Sequence, residues 1–335
     1  MIAIVGATGY VGRYLCPYLV KQGHSIIALG RSNKVQEFFD SHNVPFMYFD
    51  LNDEACFKSL EQYPITSIVD LSACLAEHET PIEDFFKVNT LGVYKLLDYC
   101  VSHDIKRFVM TSSHKLYNDI NDKEIISEAD GISFKGDHSP YIISKIAAEN
   151  FVTYYHKDFG INGIVLRLTG VHGYGEILGF LEKDGTYKKS TFELFFEKSL
   201  RGEPIEVWGD QSIKRDHVYI KDVIHAIELS VLAPENVSGI YNVASGRAYS
   251  QMEEAQILAE VFATEYGVSS VTNLPQKPGL TRGYLYSIEK IKNDIGWEPI
   301  YADMRVMYED YKKEWISKEY HNYHYIKPGQ EPAIL

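Results

Sequence analysis

The 335-residue sequence carries 33 Lys and Arg against 46 Asp and Glu, a formal net charge of −13, and is 45% hydrophobic. That length and apolar content suffice for one large domain with a smaller lobe. The acidic balance excludes an extended basic surface for nucleic acid or anionic membrane, while leaving room for a local basic pocket around an anionic ligand.

Met1 runs directly into the apolar stretch Ile2-Ala3-Ile4-Val5, without a charged n-region or apolar leader. No later stretch is long and apolar enough to span a bilayer, so a cytoplasmic protein is expected. The first strand is followed by Gly6-Ala7-Thr8-Gly9-Tyr10-Val11-Gly12. Gly6 allows a tight turn, Gly9 lets the backbone approach a pyrophosphate, and Gly12 lets the following helix pack close to the sheet. Such spacing also occurs in ordinary glycine-rich turns. Its position between an apolar strand and a helix over 11–22 points to a dinucleotide, with its phosphates at the helix N-terminus.

Further strands are predicted over 25–29, 45–49, 67–71, 107–111 and 163–168, alternating with helices over 83–103 and 141–159. This alternation predicts βαβ units and a parallel sheet covered on both faces. The second strand ends in Leu29-Gly30-Arg31-Ser32, with no carboxylate to accept from a ribose 2′-hydroxyl. Arg31 offers a planar fork for a 2′-phosphate, so NADP is the expected cofactor and NAD the alternative; the plain reading of Arg31 is a solvated side chain. Asp50-Leu51 after the third strand is expected to flank the adenine.

A helix starting near Ser139-Pro140 puts Tyr141 and Lys145 on one face. An ammonium beside a phenol lowers its pKa, which would let Tyr141 exchange a proton with a sugar hydroxyl while hydride moves at the same carbon. Thr111-Ser112-Ser113, at the end of a strand, adds a hydroxyl for the reacting oxygen.

Residues 173–189 show little periodicity, and a helix over 191–200 and a strand over 205–208 follow. The chain is then expected to return to the sheet with 218–220, a helix over 223–232 and a strand over 240–243. It leaves again for 251–265 and a last helix from Ala302. Residues 1–170 plus about 211–248 are thus expected to form a dinucleotide domain, and about 171–210 plus 249–318 a discontinuous substrate lobe. In the tail, 319–335, His321 and His324 lie among tyrosines 323 and 325; a solvated tail is expected rather than a metal site. Cys16, Cys56, Cys74 and Cys100 lack metal-ligand spacing and are expected to be free thiols.

Together these motifs resemble the extended short-chain dehydrogenase/reductase superfamily, in its NAD-dependent epimerase/dehydratase branch. The resemblance rests also on Asn89 in Val88-Asn89-Thr90-Leu91-Gly92, Arg167 in Leu166-Arg167-Leu168, and Gly209-Asp210. It continues through Arg215-Asp216-His217-Val218-Tyr219, Tyr241-Asn242-Val243-Ala244-Ser245-Gly246 and Gly296-Trp297-Glu298-Pro299. It implies a Rossmann-type doubly wound sheet with a smaller α/β lobe, and Ser113, Tyr141 and Lys145 as catalytic residues. Leu71, Ser72, Ala73, Asn89 and Leu168 are implied as further cofactor contacts.

The implied substrate is a nucleotide-diphosphate sugar, with Arg215 on the diphosphate, Trp208 beside the base, Lys277 near another phosphate contact, and His114 and Lys115 at the sugar. Also implied is a homodimer through helices 83–103 and 141–159, with Phe85, Phe86, Tyr94, Leu97 and Phe151 as candidate interface residues.

The departures from the family pattern narrow the reaction. Dehydratases and decarboxylases resembling this chain carry an acidic residue just after the catalytic hydroxyl, where this chain has His114-Lys115. That disfavours elimination and favours a 4-epimerase or a 4-keto reductase. Gly170 replaces an asparagine that often meets the diphosphate. In enzymes resembling GDP-fucose synthase, a cysteine stands where Lys115 stands, and a later basic residue falls near Lys188 or Lys189. A desolvated Lys115 pointing into the sugar pocket is expected on that parallel. The rival readings are a catalytically silent NADP-binding regulator and a reductase of non-sugar carbonyls.

Overall fold

The computed structural model describes residues 1–75, 80–120, 122–132, 138–175, 179–181 and 186–317; the tail expected at 319–335 lies outside them. The chain opens with β1 (Ile2–Val5), α1 (Tyr10–Lys21), β2 (Ile26–Gly30), α2 (Gln36–Ser41), β3 (Phe46–Tyr48), α3 (Glu54–Leu60) and β4 (Ser67–Asp70). It continues with α4 (Ile82–Phe86), α5 (Val93–Ser102), β5 (Arg107–Ser113), α6 (Pro140–Phe159) and β6 (Asn162–Leu168). The expected helix over 83–103 is therefore α4 and α5 joined by a π turn, Lys87–Gly92.

The second half contributes β7 (Gly170–His172), β8 (Gly179–Leu181), β9 (Tyr187–Lys189), α7 (Thr191–Arg201), β10 (Ile205–Trp208) and β11 (Lys214–Tyr219). After these come α8 (Ile220–Leu232), β12 (Gly239–Val243), β13 (Ala248–Ser250), α9 (Gln251–Val261), β14 (Val271–Leu274), α10 (Glu289–Ile295) and α11 (Met304–Ser317).

One seven-stranded, wholly parallel sheet runs in the order β12-β6-β5-β4-β1-β2-β3. Its inner strands are buried along their whole length, as Ile2–Val5 and Ser67–Asp70 illustrate, because helices cover both faces. The chain winds from β1 toward β3, then returns to start β4 on the other side of β1. The carboxyl ends of β1 and β4 therefore border the crevice where the strand order reverses, which is where ligands bind in this architecture.

Helix α6 is well delimited. Ser139 caps it by accepting from the Ile142 N–H, Pro140 opens its first turn, and Gly160, at φ 68°, ends it in the left-handed conformation. Its buried face carries Lys145 and Glu149 as well as Ile142, Ala148 and Val152. Glu149 meets Arg167 of β6 in a doubly hydrogen-bonded pair at 3.0 and 2.6 Å, with both side chains only 4% exposed.

Residues 218–220 do not return to the main sheet. Val218 and Tyr219 belong to β11, which pairs in parallel with β7 and antiparallel with β13, while Ile220 opens α8. The polar sequence Lys-Arg-Asp-His cannot enter a sheet covered on both faces, and exposed Lys214 beside buried Asp216 reflects a one-sided strand. Asp216 accepts from the Ser245 N–H and hydroxyl and from the Gly246 and Tyr286 N–H groups. Trp297 is fully buried and donates to the Asp222 carbonyl at 3.0 Å, while the Asp222 carboxylate accepts from the Ile300 and Tyr301 N–H groups. These two aspartates explain why the later motif blocks recur together: they tie distant loops to β11 and α8. All four cysteines are free thiols, as expected.

Candidate active site

The glycines after β1 build a cradle. Gly6 has φ +76°, and a Cβ there would lie 2.7 Å from the Ser72 amide nitrogen. A Cβ at Gly12 would lie 2.4 Å from the Ala7 carbonyl oxygen, so α1 presses backbone to backbone on the turn. At Gly9, by contrast, a Cβ would meet only the Gly6 carbonyl, and no side chain caps the first turn of α1. Free amide donors and the positive end of the helix dipole thus face open space, a setting suited to a pyrophosphate.

That space is a cavity of ≈ 520 Å³ in the crevice bordered by β1 and β4. Gly6, Thr8, Gly9, Tyr10, Val11 and Gly12 line its floor. Arg31, Asp50 and Leu51 line it on the β2 and β3 side, with Leu71, Ser72 and Ala73 beside β4. Ser113, Tyr141, Lys145 and Leu168 close it on the β5 and β6 side. An elongated cavity with a phosphate cradle in the middle, a cation at one end and a phenol, an ammonium and hydroxyls at the other fits a nicotinamide dinucleotide.

Asn89 does not line the cavity. It is fully buried, accepts from the Cys74 N–H at 2.7 Å, and donates to the Cys74 carbonyl and the Ser144 hydroxyl. Its amide is thereby engaged in fastening the loop after β4 to α6, which corrects the expected cofactor contact.

Tyr141 hydrogen-bonds the Ser113 hydroxyl. Burial raises the phenol's pKa and the Ser113 bond partly offsets that; Lys145 does not contribute the lowering expected of it. Instead, the fully buried Lys145 ammonium donates to the carbonyl oxygens of Thr111 at 3.1 Å and Ser72 at 3.5 Å. Burial pulls its pKa down, and the charges of Asp70 and Glu149 push it back up.

Next to Ser113, His114 is wrapped by aromatic rings. Its Nδ1 lies 3.0 Å from the Tyr286 hydroxyl, and its ring centroid 4.9 Å from that of Tyr284. Burial, reinforced by the cations Lys115, Arg282 and Arg215, pushes its pKa down to about 3, so it is a neutral imidazole at physiological pH. Arg215 donates to the Arg282 carbonyl at 3.1 Å and lies 5.5 Å from the Tyr284 ring centroid. Arg282 donates to Tyr117, Asn118 and Ile120. Lys115 is exposed and does not line the cavity, so the desolvated ammonium expected there is not formed. Lys188 is also exposed, and Lys189 pairs with Glu197.

Trp208 and Lys277 meet on the outer edge of the small β10–β14 sheet. The Lys277 ammonium lies 4.6 Å from the ring centroid and 2.8 Å from Glu206, and the indole is 44% exposed. Arg282, Tyr284 and Tyr286 escaped the sequence reading, because isolated residues in an irregular stretch after Pro278-Gly279 carry no periodic or motif signal.

The family model described as NAD dependent epimerase/dehydratase family matches residues 2–244. The UDP-glucose 4-epimerase of Halalkalibacterium halodurans is 24% identical over 335 residues, covering 96% of this chain and 97% of its own. The crystal structure of UDP-glucose 4-epimerase with UDP-glucose from Thermotoga maritima superposes with a TM-score of 0.73 at 23% identity, covering 94% of this chain and 99% of that one. UDP-glucuronic acid 4-epimerase from Bacillus cereus, in complex with NAD, gives 0.73 at 19% identity, over 95% and 99%. These structures establish the shared fold.

A pH test follows from His114. Folding depresses its pKa below the unfolded value near 6.5, so the unfolded chain takes up the proton first and stability falls as pH drops from about 6.5. In thermal unfolding, the native protein is expected to lose more stability between pH 7 and pH 5 than His114→Gln. Parallel losses in the two proteins contradict the assignment.

Proposed function

Because the chain belongs to the NAD dependent epimerase/dehydratase family, we propose that it is a nucleotide-sugar 4-epimerase or 4-keto reductase working by reversible hydride transfer at the sugar C4. The observation that carries this reading is the convergence of Ser113, Tyr141 and Lys145 on one end of the cavity, opposite Arg31 and across the glycine cradle. A catalytically silent regulator would have no need of the Tyr141–Ser113 bond or of a buried ammonium.

The bound nicotinamide accepts or returns the hydride. Tyr141 exchanges a proton with the sugar hydroxyl, and Ser113, already bonded to Tyr141, donates to the same oxygen. Lys145, fixed on the ends of β4 and β5, holds the nicotinamide ribose. Asp50 and Leu51 flank the adenine, and Arg31 pairs with a 2′-phosphate, which favours NADP over NAD; Lys34 lies on the same turn and no carboxylate ends β2.

The diphosphate of the substrate is placed near Arg215, which with Arg282 and Lys115 makes a positive field beside Ser113. The exposed Trp208 ring, with Lys277 over it, is suited to stack on a base. His114, neutral and enclosed, shapes the sugar pocket without acid/base work, consistent with redox chemistry at C4 and no elimination. Residues 171–210 and 249–318 are proposed as the substrate lobe.

A homodimer through α5 and α6 is also proposed. Phe85 and Leu97, expected at the interface, are buried in the protomer's own core, whereas Leu91, Tyr94, Ile143 and Tyr154 are 39–50% exposed. No helix among the described residues is long and apolar enough to cross a membrane.

Tyr141→Phe is expected to reduce turnover of a UDP-hexose by at least about 10²-fold while leaving dinucleotide affinity, read by calorimetry, within about twofold. Near-native turnover removes Tyr141 from the chemistry. Arg31→Asp is expected to reverse the preference from NADP to NAD; equal affinity of the native protein for both removes the phosphate clamp. Light scattering at micromolar concentration is expected to report a dimer that Tyr94→Glu dissociates, and a native monomer rules the interface out.

A further inference from the structure

Asp70, the last residue of β4, is 1% exposed, and Lys145 close by is 2% exposed. Both side chains converge on Ser72. The Asp70 carboxylate accepts from the Ser72 N–H at 2.9 Å, and the Lys145 ammonium donates to the Ser72 carbonyl at 3.5 Å. Thr111 ties the same two residues from β5: its carbonyl accepts from Lys145 at 3.1 Å, and its hydroxyl donates to the Asp70 carbonyl at 3.4 Å. The paired ends of β4 and β5 thus set a carboxylate and an ammonium in one dry pocket with a single peptide between them.

The surrounding groups leave Asp70 as the counter-charge. Glu149, one turn along α6, also acts on Lys145, but both of its oxygens are held by Arg167 of β6. Tyr141, one turn the other way, has a raised pKa and is uncharged at neutral pH. β5 presents carbonyl and hydroxyl groups. The second oxygen of Asp70 is buried with no hydrogen-bond partner among the described residues. A buried carboxylate so placed neutralises itself unless a cation stabilises its charge.

We propose that Asp70 is a positioning residue that acts through Lys145: its carboxylate is the buried counter-charge that keeps Lys145 an ammonium, held against the ends of β4 and β5. Burial drives Asp70 up and Lys145 down in pKa, and each charge opposes the other's loss. Replacing the carboxylate by a neutral amide leaves the Ser72 N–H bonded but lets Lys145 lose its proton at lower pH. The charge-assisted hydrogen bonds that an ammonium makes to ribose hydroxyls weaken with it. This last step rests on the role given to Lys145 above; the coupling of the two side chains does not.

The coupling is read without cofactor, by a thermal double-mutant cycle of Asp70→Asn, Lys145→Met and the double variant. The effect of Asp70→Asn on Tm is expected to be more unfavourable by several degrees in the native chain than in the Lys145→Met background. Additive shifts overturn the proposal. Should Asp70→Asn alone fail to fold, recovery of folding in the double variant supports the pair, and failure of both overturns it. Calorimetry with NADP and NAD between pH 6 and pH 9 reads the consequence. The alkaline loss of dinucleotide affinity is expected to begin about one pH unit lower in Asp70→Asn, and to be restored toward native in Asp70→Glu. A coupled pair with an unshifted affinity profile confines the fault to the ribose role of Lys145, and an uncoupled pair overturns the proposal itself.

Discussion

The buried Glu149–Arg167 pair is the interaction on which the geometry of the site depends. It fixes α6 to β6 at a depth where neither charge reaches water, and with only one of the two present the remaining charge would be stranded at a cost of about 3–5 kcal/mol. Tyr141 and Lys145 lie one and two turns before the pair or closer, on the same helix. Their positions relative to Ser113 and the strand ends are therefore inherited from a contact that takes no part in chemistry. The Arg167 guanidinium also lies 4.7 Å from the Tyr117 ring centroid, which extends the anchor to the segment following Ser113.

On the other side of the crevice the constraint is steric. Gly6 and Gly12 remove the atoms that would keep the turn away from Ser72 and Ala7, and close backbone approach follows. The cradle and the helix anchor are built by different means and meet at Ser72. That residue touches the glycine turn, accepts from Lys145 and donates to Asp70. The loop after β4 is for this reason as much a part of the site as the motifs on either side of it.

Much of this was legible in the sequence. Strands buried on both faces must be apolar without interruption, so the six strands of the first half appear as unbroken runs, and the glycine turn between strand and helix fixes the crevice. Less visible was anything decided by a partner far along the chain. β11 was placed in the main sheet because Val218 and Tyr219 look like core, although the polar residues before them require an edge. Asn89 was read as a ligand contact because its position matches a family motif, although the π turn directs it to Cys74 and Ser144. Lys115 follows Ser113 closely in sequence, but the short helical turn after β5 carries it out to solvent. Asp70 looked like the end of an apolar run, and its meaning appears only once β5 and α6 are packed against it.

The π turn over Lys87–Gly92 has a consequence for how this chain tolerates change in length. It accommodates its residues with wider hydrogen-bonded rings than an α-helix, and shortening it by one residue would restore ordinary helical spacing while turning everything after it by roughly 100°. Leu96 and Leu97, now in the core, would rotate off it, and Leu91 and Tyr94 would leave the outer face. The cavity wall, the core behind α5 and the outer face of that helix thus share a single register. Substitutions along the segment act one side chain at a time, whereas an insertion or deletion there acts on all three together.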